Sequence, residues 1–235
     1  MTTMERLSIA SFLANGHDYH LYTYDRAPDA PAGTVLKDAA EILPPSLIFR
    51  DSRDSYASFS EFFRYKLLLD RGGWWVDTDL VCLRPFEADA ECIVALEPDM
   101  NIGTAVIRMP AGSELMRRAW EVCLRLDPAN VTWGDSGPAM FAELVAELGM
   151  LEAALEPTIF FPLNWSEWEQ VLDPAIQIEF EARTKSVHLW NSMWDLAGRD
   201  KNGKYPDRCL YEALKRTYLQ PPAESSPVRG QESLG

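Results

Sequence analysis

Two aspartates separated by a single residue, Asp77 and Asp79, close a short apolar run, Trp74-Trp75-Val76. In extended backbone, residues i and i+2 point the same way with Cα atoms roughly 6–7 Å apart. Two carboxylates so placed can share one hard cation, and a cation held by oxygen ligands can in turn hold a diphosphate. The chemistry within reach of this pair is therefore metal-assisted work on a phosphate ester.

The elements that must position the pair are legible just upstream. Ser58 and Glu61 form an S-x-x-E pattern, which predicts a capping box at a helix start. Phe59, Phe62, Phe63 and Leu67 recur at three- and four-residue spacing and define the buried face. Glu61 and Arg64 lie one turn apart on another face and can reach a common object, or form a surface ion pair worth a few tenths of a kcal/mol. Gly72 or Gly73 supplies the left-handed stop. Trp74 to Val76 is too short for a helix and reads as a strand, so Asp77 and Asp79 fall at its carboxyl end, where open α/β sheets place their ligands.

The pattern over 58–79, SFSEFFRYKLLLDRGGWWVDTD, resembles the DXD-containing sugar transferases of glycosyltransferase family 32. That group and its relatives include α-1,4-galactosyltransferases, yeast α-1,6-mannosyltransferases and the glucosylating domain of clostridial toxins. The likeness extends to SIASFLANGHDYHLYTYD (8–25), WGDSGPAMF (133–141) and VHLWNSMW (187–194), so it touches most of residues 5–219. It implies a GT-A-type fold, a Rossmann-like mixed sheet with flanking helices, over a single domain at 1–219. It also implies Mn²⁺ or Mg²⁺ as cofactor and transfer of a hexose from a nucleotide sugar, UDP-hexose favoured, usually with retention of anomeric configuration. The acceptor would be a glycan, a lipid-linked sugar or a protein hydroxyl.

Carried over residue by residue, the resemblance makes Asp79 the direct metal ligand. Asp77 becomes a contact to donor ribose or sugar that also serves the metal. It sets Glu61, Arg64, Tyr65 and Gly73 against the donor, although the family usually has Asp where this chain has Glu61. Tyr65 fits equally well as core. His188 fits as a third metal ligand, imidazole being competent for Mn²⁺, or as a satisfied core histidine. Trp190 and Asn191 are candidate donor contacts, and Trp190 is also a natural core residue. Asn101 is a candidate for lining the face opposite the leaving group. A front-face path, with the leaving phosphate deprotonating the acceptor, is the other route to retention. Asp135 fits as an acceptor-side base or as a helix cap. Trp133, Trp165, Trp168 and Trp194 could stack on sugar rings or fill space.

Two other readings use the same residues. One is a catalytically impaired or truncated sugar-nucleotide-binding remnant. The other is a haloacid-dehalogenase-type phosphatase, in which one aspartate is a nucleophile; its usual second acidic pair is missing, since Gly134-Asp135 is followed by Ser-Gly-Pro-Ala-Met. Composition narrows the partners. Of 235 residues, 36 are acidic and 22 are Lys or Arg, a formal charge of −14. That balance argues against nucleic acid, which needs clustered cations, and against anionic lipid. No apolar run approaches the ~20 residues of a membrane span. The four cysteines, at 82, 92, 123 and 209, form no C-x-x-C pair and read as buried free thiols of a cytoplasmic, bacterial-type enzyme.

Elsewhere helix and strand alternate. The spacing predicts helices over 4–14, 35–43, from Ser113, from Pro138 and from Asp207, and strands over 20–24, 92–96 and 104–108. A nucleotide-binding α/β half normally opens on an apolar strand that becomes central in the sheet, whereas here Met1-Thr2-Thr3 precede the first helix. The sequence thus predicts either an upstream start or a sheet lacking that strand, with backbone groups left unpaired and activity reduced. Residues 220–235 are polar and predicted to be a disordered tail.

Overall fold

In the computed structural model, which describes residues 1–87 and 89–220, helices and strands alternate as expected for a mixed α/β chain. Helix α1 (Thr3–Ala14) is followed by strands β1 (His20–Thr23) and β2 (Val35–Asp38), then helix α2 (Ala57–Arg71). Strands β3 (Gly73–Val76), β4 (Leu80–Cys82), β5 (Ile93–Leu96) and β6 (Ile102–Met109) come next, then helices α3 (Glu114–Cys123), α4 (Pro138–Glu147) and α5 (Pro157–Phe160). Strand β7 (Ser186–His188) and helices α6 (Asn191–Leu196) and α7 (Leu210–Tyr218) complete the described chain. The predicted tail lies, from residue 221 on, outside the described residues.

The strands fall into three hydrogen-bonded groups rather than one continuous sheet. β1 and β2 pair in parallel, β3-β6-β5 form an antiparallel sheet, and β4 pairs antiparallel with β7. The free edge of β4 is not left bare. Ser8 Oγ of α1 donates to Leu80 O at 2.6 Å, Cys82 N donates to Ser11 Oγ at 2.8 Å, and Asn15 Nδ2 donates to Cys82 O at 3.1 Å. Polar side chains of a helix thus meet the backbone groups that an adjacent strand would otherwise satisfy. At this edge the expected unpaired backbone does not arise.

Helix α2 buries Phe59, Phe62, Phe63 and Leu67 as its spacing predicts, against α3 and β6. The capping box does not form. The helix begins at Ala57, one residue before Ser58; the Ser58 hydroxyl donates to Asp51 Oδ2 at 3.1 Å, and Glu61 is engaged elsewhere. At the other end Gly72 has φ 65°, and a Cβ there would stand 2.4 Å from Ala111 N. Only glycine allows both the left-handed turn and that approach, so α2 reverses directly into β3.

Several other expectations need correction. Val35–Asp38 is a strand, not the start of a helix, because its backbone pairs in parallel with His20–Thr23; only Ala39–Glu41 makes a single 3₁₀ turn. The last helix is capped by Cys209 rather than by Asp207. Asp135 does not cap α4, whose N-cap is Gly137; its carboxylate accepts from Thr132 N and Thr132 Oγ1 instead. Cys82, Cys123 and Cys209 are buried free thiols as expected, but Cys92 is exposed, lying just before β5 begins. Ser113 does cap α3, accepting from Met116 N, and Pro138 opens α4.

Candidate functional site

Asp77 and Asp79 stand at the junction of two substructures. Asp77 follows β3 and donates its backbone N–H to Ala105 O of β6 at 2.9 Å. After one more residue Asp79 leads into β4, which pairs with β7 so that Leu80 lies opposite His188. That antiparallel register carries His188, 109 residues further on, to Asp79: Nε2 and Oδ2 are 3.1 Å apart. One donor atom each from Asp77, Asp79 and His188 lie within 4.8 Å of one another, the one such cluster among the described residues.

Each carboxylate is held from a different side. Asp77 Oδ1 accepts from Arg64 Nη2 at 2.7 Å and from the Trp75 indole Nε1 at 2.6 Å. Arg64 comes from the middle of α2, where its side chain is only 4% exposed, and its guanidinium carbon lies 4.9 Å from the Trp75 ring centroid. Its Nε and Nη1 are buried without a hydrogen-bond partner. A buried cation with two unmet N–H groups is costly unless a ligand supplies acceptors. Asp79 Oδ2 also accepts the backbone N–H of Asn191 at 2.7 Å. That N–H is aimed by Trp190, which adopts left-handed backbone (φ 58°), a conformation costly for a bulky residue and found where surrounding structure enforces it. The Trp190 ring lies 4.1 Å from the His188 ring, and its indole donates to Leu163 O.

The electrostatics follow from burial and from this pairing. Burial alone would lower the His188 pKa, but Asp79, with Asp77 and Glu97 behind it, raises it above the ordinary value. Burial opposes the charged form of Asp79, yet the histidine and the Asn191 N–H hold its carboxyl below the usual range. Glu61 is raised by burial, partly offset by Arg64 and by a 2.6 Å hydrogen bond from Ser136 Oγ. The Nδ1 of His188 is buried with no partner. Two carboxylates and an imidazole, one ring nitrogen still unmet, form a donor set that can hold a divalent metal ion.

The structure thus brings Asp77, Asp79, His188, Arg64, Trp190 and the Asn191 backbone together, and joins Glu61 to them through Arg64. It does not bring in the others. Tyr65 is fully buried, stacks on Phe141 at 5.6 Å and donates to Ser136 O, so it is core. Gly73 opens β3 opposite Met109, at the end of the strand away from Asp77. Asn101 is exposed and its side chain donates to Asp99 at 3.0 Å. Trp168 and Trp194 are core, whereas Trp133 and Trp165 are exposed.

Three participants went unpredicted. Trp75 shares its strand face with Asp77, a relation that i,i+2 spacing could have revealed. Ser136 lies within the WGDSGP segment but carries no local signal of its bond to Glu61. Glu97, at the end of β5, is half-buried, and burial, with Asp99 and Asp77 adding to it and His188 partly offsetting it, pushes its pKa up to about 7.

Residues 8–101 match the glycosyltransferase sugar-binding region containing the DXD motif. The matched segment, less than half of the chain, runs from α1 through Asp77 and Asp79 to the start of β6; it supports a sugar transferase without singling out family 32 or a bacterial source. No curated protein matches the chain. Among solved structures, the PaToxG glycosyltransferase is similar at a TM-score of 0.46 and 11% identity, over 92% of this chain and 81% of that one. That likeness is too distant for any conclusion about this chain to rest on it. No helix among the described residues is long and apolar enough to cross a membrane.

Proposed function

We propose that this protein is a metal-dependent glycosyltransferase of GT-A type, in one domain over residues 1–219, that moves a hexose from a nucleotide sugar to a hydroxyl acceptor. The observation carrying this reading is the convergence of Asp77, Asp79 and His188 within 4.8 Å, backed by a buried arginine with two unmet N–H groups. The DXD-region match over 8–101 supports the same reading. UDP as the nucleotide, retention of configuration, and a glycan, lipid-linked sugar or protein hydroxyl as acceptor follow the family resemblance. A cytoplasmic setting suits the buried, unpaired thiols of Cys82, Cys123 and Cys209.

The residues divide the work. Asp79 and His188 would hold the cation from the β4–β7 side, and the Asp77 oxygen not engaged by Arg64 and Trp75 would complete the set. When bound, Mn²⁺ or Mg²⁺ supplies Lewis-acid neutralisation of charge on the departing diphosphate. Arg64 fixes Asp77 and offers its remaining N–H groups to donor oxygens, as a fixed fork suited to them. Glu61, kept in place by Ser136, faces the sugar hydroxyls. A cleft of about 280 Å³ lined by Ile9, Tyr22, Thr23, Arg26 and Thr78 adjoins the DXD turn and gives room for the nucleoside.

The test is thermal unfolding with UDP, with and without Mn²⁺. UDP should stabilise the protein only when the metal is present, by about 2.7 kcal/mol at one hundred times its Kd, and D79N should abolish the effect. A UDP shift that ignores the metal, or no shift at all, refutes the reading.

A further inference from the structure

Two loops that donor and cation binding leave unused, 50–56 and 131–137, meet beside Glu61. Asp51 of the first loop is buried; its Oδ1 accepts from Arg53 N at 2.9 Å and from Ser55 N at 3.2 Å, and its Oδ2 accepts from Ser58 Oγ at the start of α2. The second loop is tied to the first by two bonds, Ser52 N to Val131 O and Trp133 N to Ser52 Oγ, both at 3.1 Å. It then turns, with Gly137 N donating to Gly134 O, and within that turn Ser136 Oγ donates to Glu61 Oε2 at 2.6 Å. A Cβ on Gly137 would stand 3.0 Å from Glu61 Oε1, so the second loop lies directly against that carboxylate.

This framework is tied down, yet it displays aromatic surface. Trp133 is 49% exposed and Tyr56 50% exposed. Each ring carries a guanidinium: the Arg53 carbon lies 3.8 Å from the Trp133 centroid, and the Arg50 carbon 4.6 Å from that of Tyr56. Arg50 is also paired with Asp54 at 2.9 Å, whereas the Arg53 guanidinium has no carboxylate partner among the described residues. Ordered aromatic surface left in water, grouped rather than scattered, marks a contact site, and an unpaired guanidinium beside it supplies a fork of N–H donors. Trp133 lies outside the cluster of Asp77, Asp79 and His188. It precedes Ser136 by three residues, so the two Cα atoms are at most about 11 Å apart. A chain of neighbours therefore leads from the cation ligands to the exposed ring: Asp77, Arg64, Glu61 one turn earlier on α2, Ser136, Trp133.

We infer that Trp133 and Arg53 form a platform for a saccharide acceptor. The C–H face of a pyranose packs on the indole surface that Arg53 leaves open, and Arg53 N–H groups donate to its hydroxyls. This rests on the glycosyltransferase reading above and narrows its three acceptor classes to the glycan. Glu61, which faces the donor sugar in that reading, adjoins the loop, so the platform holds the acceptor beside the sugar to be transferred. A protein segment is served less well, because both loops close their backbone in turns, Asp51 N to Ser55 O and Asp135 N to Thr132 O, and offer no strand edge to pair with. An anionic lipid headgroup is disfavoured by the loops' own charges, since Asp51, Asp54 and Asp135 outnumber Arg50 and Arg53.

The experiment compares wild type, W133A, W133F and R53A in UDP and Mn²⁺. Each is titrated with lactose, maltose, cellobiose and mannobiose and, separately, with a peptide bearing serine, threonine and tyrosine hydroxyls. Indole N–H NMR reports on Trp133, and calorimetry gives the saccharide and UDP affinities. At least one disaccharide should move the Trp133 resonance. Its affinity should fall about tenfold or more in W133A and about threefold or more in R53A, and stay within about threefold in W133F, while UDP affinity stays within about twofold throughout. The inference is overturned if W133A binds the disaccharide within about twofold of wild type, if UDP affinity falls in step, or if only the peptide moves the resonance. A wild-type protein that takes up UDP with Mn²⁺ but none of the disaccharides also overturns it while leaving the donor site standing. One that takes up a disaccharide but no UDP overturns the transferase reading itself, and the acceptor role with it.

Discussion

Replacing Glu97 by Gln should change how stability depends on pH, in a direction the structure fixes. In the unfolded chain this carboxyl titrates near 4.5, and in the folded protein burial pushes it up to about 7. Between those values the native state holds a proton that the unfolded state has released. Stability therefore falls as pH rises through that window, and the loss is complete above the folded pKa. At 1.36 kcal/mol per pKa unit the loss comes to about 3 kcal/mol at most. E97Q removes this titration, and with it the last of the three carboxylates that raise His188. Urea unfolding of both proteins at pH 4.5, 6 and 8 should show E97Q gaining on wild type by about 3 kcal/mol across the range, whatever the substitution does at the acid end. Parallel profiles, with the difference constant to within about 0.5 kcal/mol, would show that the carboxyl is not held protonated and that its placement has been misjudged.

Three further outcomes follow from the same geometry. R64M removes the buried cation from Asp77 and should cost about 3 kcal/mol in urea unfolding; a loss under 1 kcal/mol would show the pair to be effectively solvated. G103A forces a methyl to within 3 Å of both Glu97 and Phe161, which should cost about 1–3 kcal/mol and lower Tm, whereas an unchanged Tm would mean that this part of β6 is loosely packed. S136A deletes the hydrogen bond to Glu61 while leaving the Ser136 carbonyl that Tyr65 uses, so a loss of about 1 kcal/mol is expected, with Glu61 titrating higher by carboxylate NMR; an unmoved Glu61 would contradict it.

How much of this could be read from the residues depended on whether each signal was local. The apolar face of α2, the Gly72 stop and the strand ending at Asp77 are written in short-range spacing, and the structure has them. Val35–Asp38 misled because its parallel partner, His20–Thr23, lies a dozen residues away and leaves no period in the segment itself. Ser58 and Glu61 misled for the opposite reason. The pattern that signals a capping box is there, but Asp51 and Ser136 take those side chains, and tertiary partners outweigh a local motif. His188 was open between ligand and core until the β4–β7 register placed it against Asp79. Glu97 was invisible because its environment is assembled from β6, Phe161 and His188 together, and the LEPD sequence around it reads as an ordinary turn. Asn101, singled out from its place at the start of a strand, proves to be tied to Asp99.

The junction at Asp77-Thr78-Asp79 has a mechanical side. Asp77 is anchored to α2 and β3, which belong with the packing of Phe62 and Phe63, whereas Asp79 is anchored to the β4–β7 ribbon, packed through Val81, Val187 and Leu189. A charge that both acids grip therefore acts as a rivet between the β3-β6-β5 sheet and the β4–β7 ribbon, which also share a core of Leu80, Cys82, Ala105 and Val106, and without it each acid keeps only its own cationic partner, Arg64 or His188. Loading and unloading the proposed cation should stiffen and loosen this seam, so a chelator would be felt in the cohesion of the molecule as well as in its chemistry.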